Sequence, residues 1–229
     1  MHVITVGHVK GGVGKTTTAV QLALHAAATG RRTTLIDADP GRSALSWSAR
    51  AANWPKELVP VVAHHRPDLD RTARLFGDGS DLVIIDAPHD PFGGAQVGAE
   101  LATAIAAADL LVVPTSPLLA DLDRLEDLRA AVNREQARRP LDWILVLARV
   151  DLRRKTIATE VAELLVNSDW PVLPIAVPSA LAGGHATSTW VPMRAAVGDA
   201  FGTAQVLPEY DGLFTAVMAR LLAGAEVTA

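Results

Sequence analysis

Apolar positions along the chain follow two alternating rhythms. Short, densely apolar and often β-branched runs predict strands near Val3–Gly7, Thr33–Asp37, Leu58–Ala63, Leu82–Asp86, Leu110–Pro114, Trp143–Ala148 and Val172–Val177. Several are apolar at successive positions, the mark of strands covered on both faces. Between them apolar residues recur every three or four. This spacing predicts helices over Thr16–Ala28, ending before Gly30, over Leu122–Arg138, ending before Pro140, and over Thr156–Val166. The Ala-rich stretch Ala99–Ala108 reads as a packed helix, and terminal helices are expected over Thr189–Val197 and Tyr210–Leu222. Strand–helix alternation predicts an α/β fold: a mostly parallel sheet with helices on both faces, a three-layer sandwich. No internal repeat or low-complexity linker divides residues 1–229, so one domain is expected.

Composition narrows the chemistry. The formal net charge is −4, so any contact with nucleic acid has to come from a local patch. Basic residues concentrate around Arg124–Arg139 and Arg149–Lys155. There is no cysteine, which excludes disulfides, thiolate metal sites and iron–sulfur ligation. The opening "MHVITVGHVK" lacks the charged and apolar sequence of a secretory leader. No uninterrupted apolar run reaches the ~18 residues of a membrane span, so a cytoplasmic protein without a membrane partner is expected. Adjacent His64 and His65 point to opposite faces of a strand, and no metal-ligand spacing or Ser–His–Asp arrangement is visible.

The first strand runs into "VKGGVGKTTTAV", Val9 to Val20, which in turn opens a helix. Glycines let successive backbone N–H groups turn toward one anion, and the helix start adds its own unpaired N–H groups and positive end. In that context Gly11, Gly12, Val13 and Gly14 form a phosphate cradle, with Lys15 meeting the β- and γ-phosphates. The Thr16 hydroxyl is placed for Mg²⁺ and Thr17 for the α-phosphate. The alternative is a plain glycine-rich turn. Lys10, ahead of the glycines, is either a solvated loop lysine or a second phosphate ligand.

The ordinary G-x-x-x-x-G-K-[ST] spacing is not met; the string is K-G-G-V-G-K-T-T. This resembles the deviant Walker A motif of the ParA/MinD family of ATPases, most strongly over Val3–Trp47 and in outline to the C-terminus. The resemblance implies a P-loop NTPase-like fold, ATP and Mg²⁺ as cofactors, and a nucleotide-sandwich homodimer. In that dimer Lys15 serves its own subunit's nucleotide, while Lys10 crosses to the partner's phosphates. Two polyphosphates brought face to face repel, and cross-supplied cations offset this only when both are present. Assembly therefore reports triphosphate occupancy.

Three carboxylates follow. "DADPGRS" places Asp37 and Asp39 at a strand's carboxyl end, where α/β sheets bind ligands. The stretch is similar to the family's D-x-D-P-Q-G-S. Likeness gives Asp39 the attacking water, with Lys10 and Lys15 as its catalytic companions, and gives Asp37 the Mg²⁺ shell; a helix N-cap is the other reading of Asp39. Here Gly41–Arg42 stands in place of Gln–Gly. "DLVIIDAP" resembles Walker B, with Asp86 holding a water on Mg²⁺, and His89 stands where family members often carry a second proline. A surface or capping role for His89 competes with a γ-phosphate or partner role. Asp121 reads as a helix N-cap, Trp47 as core or interface. Arg149, in "LARVD", is placed to meet the base or to close a salt-linked loop.

The resemblance is closest to short, single-domain partition proteins. It implies slow ATP hydrolysis, stimulation by a ParB-like adaptor, and sequence-independent DNA binding by the ATP dimer, hence nucleoid association. Arg134, Arg138, Arg153, Arg154 and Lys155 are the DNA candidates, with Arg129 and Arg139 beside them; a solvated helix face is the competing reading. The C-terminal "YDGLFTAVMARLLAGAEVTA" has one Arg and an acidic flank, which fits anionic lipid poorly. Alternatives are a metabolic ligase or carrier ATPase that activates a small carboxylate, or a MinD-like positioning ATPase.

Overall fold

The computed structural model describes residues 1–90, 97–117, 122–150, 155–172, 190–192, 204 and 206–227. The side chains of residues 149, 150, 155, 190–192, 209 and 224–227 lie outside the description. Seven strands, β1 (His2–Val6), β2 (Thr33–Asp37), β3 (Val61–Ala63), β4 (Leu82–Asp86), β5 (Leu110–Thr115), β6 (Asp142–Val150) and β7 (Trp190–Pro192), form one sheet in the order β3-β2-β4-β1-β5-β6-β7. Every pairing is parallel. β2, β4 and β5 are buried at every position, which is why their sequences are apolar without alternation.

Seven α-helices are described: α1 (Lys15–Ala28), α2 (Ser43–Arg50), α3 (Leu69–Phe76), α4 (Ala99–Ala107), α5 (Leu125–Gln136), α6 (Lys155–Asn167) and α7 (Asp211–Val227). Connections that step from β1 outward to β2 and β3 carry α1 and α2. These pack with α7 in one core, around Leu22, Leu35, Trp47, Ile84 and Leu213. Connections that step the other way carry α3, α4, α5 and α6, which share the second core around Leu69, Ile85, Leu101, Leu128 and Val161. Right-handed crossovers sort helices in this way. The chain reverses direction beside β1, so the loop after β1 opens at the crevice where such sheets take ligands.

Most predicted elements are present within a residue or two. β3 is shorter than the expected Leu58–Ala63. The carbonyls of Leu58 and Pro60 do accept from Thr33 and Leu35, but Pro60 has no N–H to return. The helix expected over Thr189–Val197 is corrected: Trp190–Pro192 is edge strand β7, paired with β6 at Leu147↔Trp190 and Ala148↔Val191. The aromatic and β-branched residues suit a strand, and an edge tolerates the proline. Of Val172–Val177, Val172 bridges Leu145 in parallel and 173–177 lie outside the described residues. Helix α3 was not foreseen, and α2 was implied only by the capping reading of Asp39; each is too short for its periodicity to stand out. Trp47 is core, at 1% exposure.

α7 is tied to the helix that follows the loop. His25 Nδ1 lies 2.7 Å from the Gln21 carbonyl and Nε2 lies 2.9 Å from Asp211 Oδ1. Leu207 N donates to Gln21 Oε1 at 2.9 Å.

Candidate functional site

The loop leaves β1 and folds back through its own backbone. Lys10 N donates to His8 Nδ1 at 2.9 Å. Val9 and Val13 are buried and pin the two limbs. Gly12 (φ 78°) and Gly14 (φ 101°) occupy the left-handed region, where a side chain is strained. Gly14 is also the N-cap of α1 and supplies no side chain, so the first N–H groups of the helix point at the loop without a capping partner. An anion is the complement of that arrangement. Lys15 is 6% exposed and donates through Nζ to the Lys10 carbonyl at 3.1 Å, spanning the loop it would fill with phosphate. Burial lowers its pKa, while Asp86 and Asp39 draw it back up.

The carboxylates are placed by register. Asp86 at the end of β4 pairs with Val6 on one side and with Asp37 on the other. Two fully buried acids therefore stand side by side at the carboxyl edge, next to the loop. Burial pushes Asp86 up to about 7, with neighbouring Asp37 adding to the rise; the Thr16 hydroxyl faces it from outside strict hydrogen-bond geometry and, with Lys15, pulls it back. Asp37 is also raised, chiefly by burial. Its Oδ2 accepts from Leu45 N at 2.8 Å, satisfying the start of α2. The capping role weighed for Asp39 in the sequence is thus Asp37's.

Asp39 sits in the loop beyond β2. Its Oδ1 accepts from Gly41 N at 2.8 Å and its Oδ2 lies 3.1 Å from His89 Nδ1. Burial pushes its pKa up, but the Gly41 N–H, His89 and Lys15 outweigh this and hold it below the ordinary carboxylate value. Asp39 is thus an ionised acceptor, suited to orienting a water more than to keeping its proton. Arg42, the N-cap of α2, takes φ 50° and ψ 40°, a conformation that favours glycine, and its Nε donates to His65 Nε2 at 3.2 Å.

Both Asp86 carboxylate oxygens and Asp37 Oδ1 are buried without a hydrogen-bond partner. Orphaned acceptors of this kind fit the waters of a hydrated divalent cation, which donate hydrogen bonds. Among the described residues no three His, Asp or Glu side chains are close enough to hold a bare ion. The fit is therefore to a cation completed by the Thr16 hydroxyl, phosphate oxygens and water, as Mg²⁺ prefers.

Other candidates lie elsewhere. Arg134 is exposed on α5 and Arg138 is exposed just past its C-terminal end, 3.8 Å from Glu135, beside a groove of about 290 Å³ against α4. Arg129 stacks over Trp170, 4.9 Å from the ring centroid, and Arg139 is bound to Glu135 and the Ile105 carbonyl, so both are committed within the fold. Arg149 belongs to β6 and Lys155 starts α6, but their side chains lie outside the described residues, as do Arg153, Arg154 and Asp121 entirely. Sequence reasoning missed His8, whose backbone contact shapes the loop, and left the partner of His89 unassigned. No local pattern links residue 89 to residue 39.

Residues 4–182, most of the chain, match the CobQ/CobB/MinD/ParA nucleotide binding domain. The chain belongs to that family. It is 42% identical over 120 residues to the maintenance of carboxysome distribution protein A of Gloeobacter kilaueensis, covering 52% of this chain and 51% of that protein. It is 32% identical over 164 residues to the chromosome-partitioning ATPase Soj of Thermus thermophilus, covering 57% and 64%. The chain thus spans about half to just under two thirds of these relatives. In fold, this family member is similar to apo McdA of Cyanothece (TM-score 0.67, 16% identity, 96% of this chain and 99% of that chain). A Borrelia burgdorferi plasmid partition protein is comparable (TM-score 0.65, 15% identity, 96% and 98%). The chain is a ParA/MinD-type nucleotide-binding protein with the P-loop NTPase-like α/β fold of its neighbours. Among them, cobyrinic acid a,c-diamide synthase of Mycobacterium smegmatis holds ADP and magnesium (TM-score 0.60, 20% identity, 82% and 93%).

Proposed function

We propose that residues 1–229 act as one ParA-type partition or positioning ATPase, cytoplasmic and free of a membrane partner, that hydrolyses MgATP slowly and assembles as a nucleotide-sandwich homodimer. The observation that carries this is the uncapped α1 start facing Lys15, beside two buried carboxylates whose unpartnered oxygens fit a hydrated cation. The relatives named for chromosome partitioning and carboxysome distribution agree with it. Bound Mg²⁺ supplies charge neutralisation for the transferred phosphoryl group. Gly11, Gly12, Val13 and Gly14 present backbone N–H groups to the phosphates. Lys15 gives up the Lys10 carbonyl for a phosphate oxygen. Thr16 ligates the cation, Asp37 and Asp86 receive its waters, Thr17 bonds the α-phosphate and Arg149 meets the base. Asp39 orients the attacking water. In the dimer the ATP-bound protein binds DNA through Arg134, Arg138, Arg153, Arg154 and Lys155, associates with the nucleoid, and is stimulated by a ParB-like adaptor.

Lys10 decides the test. Lys15→Ala abolishes nucleotide binding. Lys10→Ala keeps ATP binding, measured by calorimetry, but stays monomeric with MgATP in sizing chromatography and loses turnover. If Lys10→Ala dimerises and turns over like the wild type, the cross-subunit assignment is wrong. Turnover that rises with small carboxylic acids and ignores DNA plus adaptor would move the chain to the ligase class.

A further inference from the structure

His89 stands in the turn after β4, at the rim of the site, with its side chain 43% exposed. Its ring stands between two segments far apart in the chain. Nδ1 lies 3.1 Å from Asp39 Oδ2, and the ring edge crosses Gly11, about 3.5 Å from where a β-carbon on that glycine would sit. Asp39 is an acceptor, so the imidazole Nδ1 carries the hydrogen of this contact. The opposite carboxylate oxygen is held by Gly41 N–H at 2.8 Å. With one donor on each oxygen the carboxylate cannot rotate, and each oxygen still keeps acceptor capacity for a water.

We propose that His89 is a positioning residue for Asp39: its Nδ1–H, beside Gly11 of the phosphate loop, fixes the carboxylate that aligns the attacking water. This rests on the hydrolysis reading above. The exposed ring buries little apolar surface, so its main contribution is orientation, which is felt in the chemical step and not in nucleotide affinity. The carboxamide nitrogen of asparagine reaches the position of imidazole Nδ1; that of glutamine reaches toward Nε2.

The test measures MgATP turnover in the full chain for wild type, His89→Ala, His89→Asn and His89→Gln, with ADP affinity by calorimetry. A long-range ¹H–¹⁵N spectrum of the imidazoles accompanies it. His89→Ala lowers kcat by about tenfold with KM and ADP affinity within about twofold, the signature of an interaction felt only after binding. His89→Asn restores kcat to within about threefold of wild type, and His89→Gln does not. The spectrum shows the Nδ1-protonated tautomer of His89, lost in Asp39→Ala. Wild-type kcat in His89→Ala, a defect confined to KM, or equal loss in the Asn and Ala variants overturns the inference alone. Absence of turnover in the wild type overturns the hydrolysis reading and this inference with it.

Discussion

Single residues at the site trade stability for charge placement. Asp86 is fully buried, and its pKa moves from about 3.8 to about 7 on folding without ligand. An acid that binds its proton more tightly when folded stabilises the fold at low pH. Its contribution is complete below about pH 4 and is lost as the pH rises through 7. Urea unfolding of the nucleotide-free protein should therefore show stability falling between about pH 4 and 7 by on the order of a few kcal/mol. Asp86→Asn should flatten most of that fall and leave the smaller slope due to Asp37, whose pKa is shifted in the same direction. Arg42 carries a different strain. At φ 50° its β-carbon is crowded by its own backbone, and its side-chain bond to His65 is exposed. Arg42→Gly should stabilise the protein by about 1 kcal/mol, read as a higher urea midpoint at unchanged slope.

At the scale of elements, β2 and α2 are joined by one carboxylate. Asp37 ends the strand and accepts the Leu45 N–H at the start of the helix, so it has a structural duty apart from any cation. Two uncharged substitutions separate the duties. Asp37→Asn keeps an acceptor for Leu45, and Asp37→Ala does not. The Ala variant should be about 1 kcal/mol less stable than the Asn variant by denaturant titration. Both should lose MgATP turnover, because neither presents a carboxylate to the hydrated cation. α1 has a comparable double duty. Its first turn faces the loop, while Gln21 in its body holds Leu207 in the segment before α7 and His25 holds Asp211, the first residue of α7. The two ring nitrogens of His25 face the Gln21 carbonyl and the Asp211 carboxylate, so one side chain links the body of α1 to the first residue of α7.

For the whole molecule, a net charge of −4 makes any DNA contact a matter of local patches brought together. Arg129 and Arg139 are engaged in the fold, while Arg134 on α5 and Arg138 just past its end are the exposed pair, Arg138 in a surface ion pair with Glu135. In anisotropy titrations with duplex DNA and MgATP, Arg134→Ala and Arg138→Ala should each weaken binding uniformly across sequences. Each should lower the slope of log K against log salt by about one per lost phosphate contact. Unchanged affinity and slope in the double variant would remove the C-terminal end of α5 and the turn after it from the interface.

Local pattern carried a great deal. The buried parallel strands, the helix after the loop and the K-G-G-V-G-K-T-T string were legible because each depends on neighbours a few residues apart: apolar runs, helical spacing, glycines where φ turns positive. Asp37 and Asp86 were legible as strand ends. What the local pattern could not settle was which of two nearby carboxylates caps α2, where His89 goes, which arginines are already engaged, and that Trp190–Pro192 forms an edge strand. Each of these is decided by sheet register or by contact between segments tens of residues apart. Register sets Asp37 beside Asp86, a turn after β4 reaches Asp39, Trp170 and Glu135 take up Arg129 and Arg139, and the open side of β6 takes a partner that only the assembled sheet supplies.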